Sequence, residues 1–174
     1  MLKIIRSMSE LQFGKLMEVY MESNLLNGSE NYPTLPRAEQ LIFAEQDFYQ
    51  YLSQVFFKQV DSFYAVWDLG THFGSALRIE PYRDGVLLCA LETAPTMRHT
   101  GLASRLIDAV VAYLSMQGSG IIYSHVSKRN TASLSVHKKC GFQIIAEHAV
   151  YSDGSVLQNL RTLALKYEKS ESSM

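Results

Sequence analysis

Cysteine is scarce: the chain has only Cys89 and Cys140 among its 174 residues. They form no CxxC pair and no regular framework, which excludes a disulfide scaffold and leads us to expect two reduced thiols in a cytoplasmic protein. Long apolar runs are missing as well. Ala109 to Leu114 stops at six residues, far short of a bilayer-spanning helix, so no membrane association is expected. Met1 to Arg6 contains no apolar segment of signal-peptide length. There is no excess of positive charge: 16 basic and 17 acidic side chains leave a net −1, which argues against a dedicated nucleic-acid binder. His72, His99, His125 and His148 show no ligand spacing, so no metal is expected. Repeats, low-complexity tracts and linkers are also absent. What is present is the profile of a globular protein, 47% apolar and 19% charged. The length suits one domain over residues 1–168, followed by a polar tail, 169–174, expected to be disordered.

The charge is not evenly spread. Residues 1–85 carry 11 acidic and 7 basic side chains, and residues 86–174 carry 6 and 9. Such a split arises by scatter, or because one part meets a cation and the other an anion.

Periodicity places the elements. After a possible first strand at Leu2–Ile5, Ser9 with Gln12 three residues on reads as a capping box. Phe13, Leu16, Met17, Tyr20 and Met21 then form one helical stripe, which Asn27-Gly28-Ser29, Pro33 and Pro36 should break. A second helix fits Ala38 to Lys58. Strands follow at Phe63–Trp67, His72–Tyr82 and Val86–Thr93, the last two joined through Asp84-Gly85. A third helix runs from Leu102 to Leu114, ended by Gly118 and Gly120. A short strand at Ile121–Val126 and a short helix at Asn130–Cys140, with Asn130 as N-cap, come next. Phe142–Tyr151 and Val156–Tyr167 read as a closing hairpin. The strand–helix–strand unit from Val86 to Val126 implies one parallel pair in a mostly antiparallel α/β sheet.

The most informative segment runs from Leu91 to Ala103. A strand enters a short loop, Arg98-His99-Thr100-Gly101, and then a helix whose first turn has free N–H groups and the positive end of the dipole. Gly101 and Ala103 keep the turn bare, so a phosphate could approach the backbone. The segment is neither a Walker A loop nor GxGxxG, and alone it also fits a plain tight turn.

Two spacings go further. Arg98-x-x-Gly101-Leu102-Ala103, with Pro95 upstream, resembles the acyl-CoA pyrophosphate loop of the GNAT acetyltransferase superfamily, Arg/Gln-x-x-Gly-x-Gly/Ala. Asn130-x-x-Ser133-x-x-x-His137-x-x-x-Gly141-Phe142 resembles that family's later motif, Asn-x-x-Ala/Ser-x-x-x-Tyr-x-x-x-Gly-Phe. Motif order, separation and element order agree over nearly the whole chain.

The resemblance implies a GNAT-like sheet flanked by about four helices and splayed between its fourth and fifth strands, here Val86–Thr93 and Ile121–Val126. It implies acetyl-CoA as cosubstrate, its pantetheine arm pairing with Leu91, Glu92 and Thr93 as an added strand. Arg98, His99, Thr100, Gly101, Leu102 and Ala103 would bind pyrophosphate. Asn130 would reach the cofactor, with Ser133 and the 134–137 turn beside its thiol end. Arg105, Lys128 and Arg129 are candidates for adenosine phosphates or plain surface charges.

The implied chemistry is direct attack of an amine on the thioester in a ternary complex. It needs a base for the amine, a donor for the oxyanion and an acid for the thiolate. The usual acid is a tyrosine; here His137 stands in its place, as donor or as packing, with Tyr123 and Tyr151 as rivals. Glu92 is the candidate base and Glu80 the runner-up. Tyr32 and Tyr49 are candidates for the acceptor site, which the first two helices would wall. Neither cysteine has a histidine placed to activate it, so no acyl-cysteine step is expected.

The expected function is N-acetylation of a small primary amine by a monomer or homodimer. The alternatives are acetylation of protein N-termini or lysines, or an acyl-CoA-binding module without turnover. On this reading the basic half holds both CoA motifs, and the acidic half faces the amine.

Overall fold

The structure is a computed structural model and describes residues 1–170. Its elements, in chain order, are β1 (Leu2–Ile5), α1 (Phe13–Val19), α2 (Met21–Asn31), α3 (Arg37–Gln54), β2 (Phe63–Asp68), β3 (Phe73–Tyr82), β4 (Gly85–Thr93), α4 (Leu102–Ser115), β5 (Gly120–Ser127), α5 (Thr131–Lys139), β6 (Gln143–Ala146), β7 (Ala149–Val150), β8 (Val156–Leu157) and β9 (Leu160–Tyr167). Seven strands form one sheet in the order β1-β2-β3-β4-β5-β9-β6, with β4–β5 its parallel pair. The mixed, mostly antiparallel α/β reading therefore holds, with five α-helices among the described residues rather than about four.

The sheet divides two cores. On one face Leu106, Ile107 and Val110 of α4 pack on Leu77, Ile79, Ile122 and Leu163. Each fully buried aliphatic there contributes about 2 kcal/mol through burial. On the other face Leu16, Val19 and Tyr20 meet Leu52, Phe56, Tyr64, Val66 and Phe73 under α1 to α3.

Three local expectations change. The first stripe is split at Tyr20, whose φ −93° and ψ 13° separate α1 from α2. Met21 consequently turns out to solvent. Gln12, not Ser9, occupies the N-cap of α1, and it makes no side-chain cap. Gly28 does not stop α2. It lies where α2 meets the start of α3, and a Cβ there would come within 2.5 Å of the Gln40 carbonyl oxygen. Close helix packing outweighs the weak helix propensity of glycine, and α2 continues to Asn31, just before Pro33.

The closing hairpin is broken. β6 pairs with β9 only over Gln143–Ala146. The chain then leaves the sheet where the Thr162 hydroxyl donates to the His148 carbonyl (2.7 Å), and β7 and β8 pair separately. Of the expected tail, Lys169 and Ser170 donate backbone N–H bonds to Ser119 Oγ (2.8 Å) and to the Ser115 carbonyl (3.0 Å). Residues 171–174 lie outside the described residues.

Candidate active site

β4 and β5 pair through only three positions, Val86 with Ile122, Leu87 with Tyr123 and Leu88 with Ser124. Beyond Leu88 the strands part. The gap opens into a groove of about 670 Å³ between the end of β4 and the first turns of α4 and α5. Strands that separate leave backbone groups without a ladder partner, so one wall of this groove can pair with an extended ligand.

The loop before α4 is shaped by backbone. After a 3-10 turn at Pro95–Met97, His99 (φ +62°) and Gly101 (φ +80°) adopt left-handed conformations. At Gly101 there is open space for a Cβ, so the conformation, not crowding, demands glycine. Gly101 is also the N-cap of α4 and offers no side chain, so no cap competes for the N–H groups of the first turn. Bare donors at a helix N-terminus facing a groove suit a phosphate. Across the mouth, Arg98 Nη2 pairs with Glu22 Oε2 of α2 at 2.6 Å.

β4 is kinked in the same region. Arg78 pairs with Cys89 and Ala76 with Glu92, so Ala90 and Leu91 together oppose Leu77 in a β-bulge. Ala90 has φ +50°, and its carbonyl accepts from the buried Tyr20 hydroxyl at 2.6 Å. The bulge puts Cys89 and Glu92, three residues apart, on the face that carries Ala76 and Arg78.

On that face lies a second cavity, of about 320 Å³. Ala44, Asp47, Phe48 and Tyr51 line it from one stripe of α3, and Asn24, Asn27 and Asn31 from one stripe of α2. Arg78 and Ala90 close it from the sheet. Groove and cavity share two residues, Ser23 and Glu92. The Ser23 hydroxyl donates to Glu92 Oε1. Burial pushes the Glu92 carboxyl above its ordinary range, while the Ser23 hydrogen bond and Arg98 pull the other way. Burial leads, so Glu92 holds a proton more readily than a surface glutamate.

Most expected cofactor residues border the groove: Leu91, Glu92, Thr93, Arg98, His99, Gly101, Leu102, Ala103, Asn130 and Ser133. Thr100 does not; its hydroxyl closes the loop onto the Met97 carbonyl at 2.5 Å. Asn130 Oδ1 accepts from the Ser133 N–H at 3.0 Å as the N-cap of α5, which leaves both amide N–H donors free for a ligand. Ser135 and Val136 of the expected 134–137 turn border it too, and Ser104 and Lys139 do so without having been singled out, because helix facing decides their exposure.

His137 has a different setting from that expected of a proton donor. It is 1% exposed and packs edge-on against Phe142, with ring centroids 5.1 Å apart. Nδ1 meets the Ser133 carbonyl at 2.8 Å and Nε2 the Ser124 hydroxyl at 2.9 Å. A carbonyl only accepts, so Nδ1 carries the proton and Nε2 accepts from Ser124. Burial pushes the imidazole pKa down. His137 is thus a neutral, fully bonded core histidine that does not border the groove.

Of its rivals, Tyr123 donates to Asp84 Oδ1 at 2.7 Å, at the opposite end of β4 from the bulge. Tyr151 packs edge-on against His125, with centroids 5.0 Å apart. Burial and the neighbouring Cys89 push its pKa up.

Neither tyrosine expected at the acceptor site borders the second cavity. Tyr49 follows the lining residue Phe48 by one position, about 100° around the helix, and packs on Phe13 at 5.2 Å instead. Tyr32 donates to Asp47 Oδ2 at 2.6 Å and acts only through it. Tyr20 and Tyr51 occupy the wall in their place. Glu80 borders neither space and lies 3.8 Å from Arg78 Nε. Burial raises the Cys89 thiol to about 12 and the Cys140 thiol to about 11, so neither is an activated nucleophile.

Among the described residues no group of His, Cys, Asp and Glu could hold a metal ion, and no helix is long and apolar enough to cross a membrane. A family model described as "Acetyltransferase (GNAT) family" matches residues 19–142. No curated protein matches the chain. Among solved structures, the ribosomal-protein-S18-alanine N-acetyltransferase of Escherichia coli is 14% identical, with a TM-score of 0.59 and coverage of 100% of this chain and 99% of that one. The paia N-acetyltransferase of Thermoplasma acidophilum, solved with coenzyme A, is 13% identical, with a TM-score of 0.64 and coverage of 96% and 99%. Salmonella typhimurium yncA, solved with acetyl-CoA, is 14% identical, with a TM-score of 0.55 and coverage of 99% and 98%. At these identities the likeness is one of fold.

Proposed function

The chain belongs to the GNAT acetyltransferase family, and from that premise we propose that it acetylates the primary amine of a small molecule by direct attack in a ternary complex. The observation that carries this reading is the meeting of two spaces at one carboxylate: groove and cavity share Glu92 and Ser23. Acetyl-CoA, when bound, supplies the thioester carbonyl that the amine attacks. The residues of the groove fit it, with an unpaired strand edge at Leu91–Thr93 for an amide-bearing arm and the uncapped start of α4 for phosphates.

Glu92 receives the proton of the incoming ammonium, and its raised pKa suits that task better than an ordinary carboxylate would. The nitrogen then bonds to the acyl carbon, the carbon–sulfur bond breaks with its electron pair going to sulfur, and the nitrogen sheds its second proton, which makes good the one given to the thiolate. The bulge at Ala90–Leu91 turns backbone N–H groups out of the ladder, and these are the donors we assign to the developing oxyanion. Tyr151 returns a proton to the thiolate. Like any tyrosine it is protonated at neutral pH, and it is the donor left once His137 and Tyr123 are taken up by their own partners. A cavity of about 320 Å³ suits a small acceptor, and the single domain over 1–168 is sufficient for both sites.

A thioester-cleavage assay over small amines and N-terminal peptides, with acetyl-CoA binding measured by calorimetry, tests the reading. Turnover on small amines is expected. Turnover on peptides alone would overturn the acceptor class, and binding without turnover on any amine would overturn the activity.

A further inference from the structure

The second cavity contains a charge that amine acetylation does not use. Arg78 projects from β3 into its wall. The guanidinium lies under the Tyr51 ring, 5.0 Å from its centroid, and 5.6 Å from that of Phe56. Its Nε is buried without a hydrogen-bond partner. The carboxylate nearest to it is that of Glu80, at 3.8 Å and beyond hydrogen-bonding range. A guanidinium does not shed its proton to escape burial; its Nε is out of a ligand's reach, so an anion in the cavity would meet its Nη donors.

The register sets the distance to the chemistry. Glu92 opposes Ala76, two residues before Arg78 on the same face. Diagonal neighbours of this kind lie about 7–8 Å apart. A small molecule can bridge that span with an ammonium at one end and an anion at the other. Asp47 on the facing wall already accepts from Tyr32, and the three asparagines of α2 are neutral. Arg78 is therefore the cation among the residues lining this cavity, with the carboxylates of Asp47 and Glu92 beside it.

Resting on the acetyltransferase reading above, we propose that the acceptor carries a carboxylate near its primary amine, and that Arg78 is the specificity-determining residue that binds it. Planar, paired donors fit a carboxylate in a way a lysine would not. The stacking by Tyr51 and Phe56 holds the fork in place before the acceptor arrives, which lowers the ordering cost of binding.

The test is steady-state kinetics with matched acceptors: amino acids, their carboxamides and the corresponding decarboxylated amines, with a polyamine as counter-probe. The wild type should favour the carboxylates in kcat/KM by at least about 30-fold. Arg78→Gln should abolish that preference by raising KM for carboxylates, with acetyl-CoA affinity changed less than about threefold. Arg78→Lys, which keeps the charge, should retain part of the preference and guards against a folding defect in Arg78→Gln. Preference for carboxamides, decarboxylated amines or the polyamine in the wild type would overturn the proposal while leaving the acetyltransferase reading standing. Equal loss on all acceptors in both variants would also overturn it, by making Arg78 a packing residue. Bound acetyl-CoA without turnover on any acceptor would overturn the underlying reading itself.

Discussion

The groove and the cavity meet at Glu92 but are built differently. The groove is made of backbone: parted strands, a bulge, a left-handed glycine and an uncapped helix. Its lining comes almost wholly from two short segments, 91–104 and 130–139. The cavity is made of side chains from α2, α3, β3 and β4, spread over about 70 residues from Tyr20 to Glu92. The contrast matches a division of labour. A shared cosubstrate can be held by groups every residue has, whereas an acceptor has to be distinguished by particular side chains.

The junction should be the most sensitive point. Glu92→Gln, which cannot take up a proton, should lower kcat by about 10²–10⁴-fold with acetyl-CoA affinity little changed. Because the Glu92 pKa is raised, the wild-type rate should climb with pH through a limb above the ordinary carboxylate range, and that limb should vanish in the variant. A Glu92→Gln enzyme with full turnover would separate the two spaces functionally.

Behind the groove, His137→Ala should act on stability. It removes both side-chain hydrogen bonds of the ring and opens a void beside Phe142, costing about 2–4 kcal/mol in denaturant unfolding. A tenfold loss of turnover with unchanged stability would restore the histidine as the acid. The sign of its pH effect follows from the lowered folded pKa. Below the unfolded value, near ~6.5, the unfolded chain binds the proton more readily. The contribution is therefore full above that pH and lost as pH falls towards the folded value, and the loss should shrink in His137→Asn.

In the groove itself, Gly101→Ala forces a Cβ into a left-handed conformation. It should cost about 1–2 kcal/mol, read as roughly a tenfold rise in the acetyl-CoA Kd with acceptor KM unchanged. A matching rise in acceptor KM would merge the two regions. The smallest effect is expected from Glu22→Gln. It releases Arg98 from an exposed ion pair and should tighten acetyl-CoA binding by no more than about fivefold, at low salt.

The two regions also differed in how readable they were. Arg98-x-x-Gly101 and Asn130 stood out because a left-handed turn and an N-cap each need particular residue types at fixed offsets. Nothing comparable marked Arg78, which reads as one charged position in a strand until the bulge sets it beside Glu92. The aromatic stripe of α3 announced a lining helix but not its rotation. Phe48 and Tyr51 face the cavity and Tyr49 does not, a difference of one residue that packing on Phe13 settles. His137 sat at the family's catalytic spacing, yet α5 turns that face inward with Leu134. The acidic half meets the cavity with Arg78 as well as Asp47, while its Glu22 pairs with Arg98 at the rim of the groove.

By itself the sequence determined most of the element order, the parallel crossover and the tight loop before α4. These follow from local periodicity, turn chemistry and backbone conformations that only certain residues adopt. Tertiary structure alone decided which side chains share a cavity, which histidine is buried and where a helix pauses or runs on past a glycine. Those outcomes depend on contacts between segments far apart in the chain, whose burial and hydrogen-bonding energies exceed the small local preferences a sequence displays.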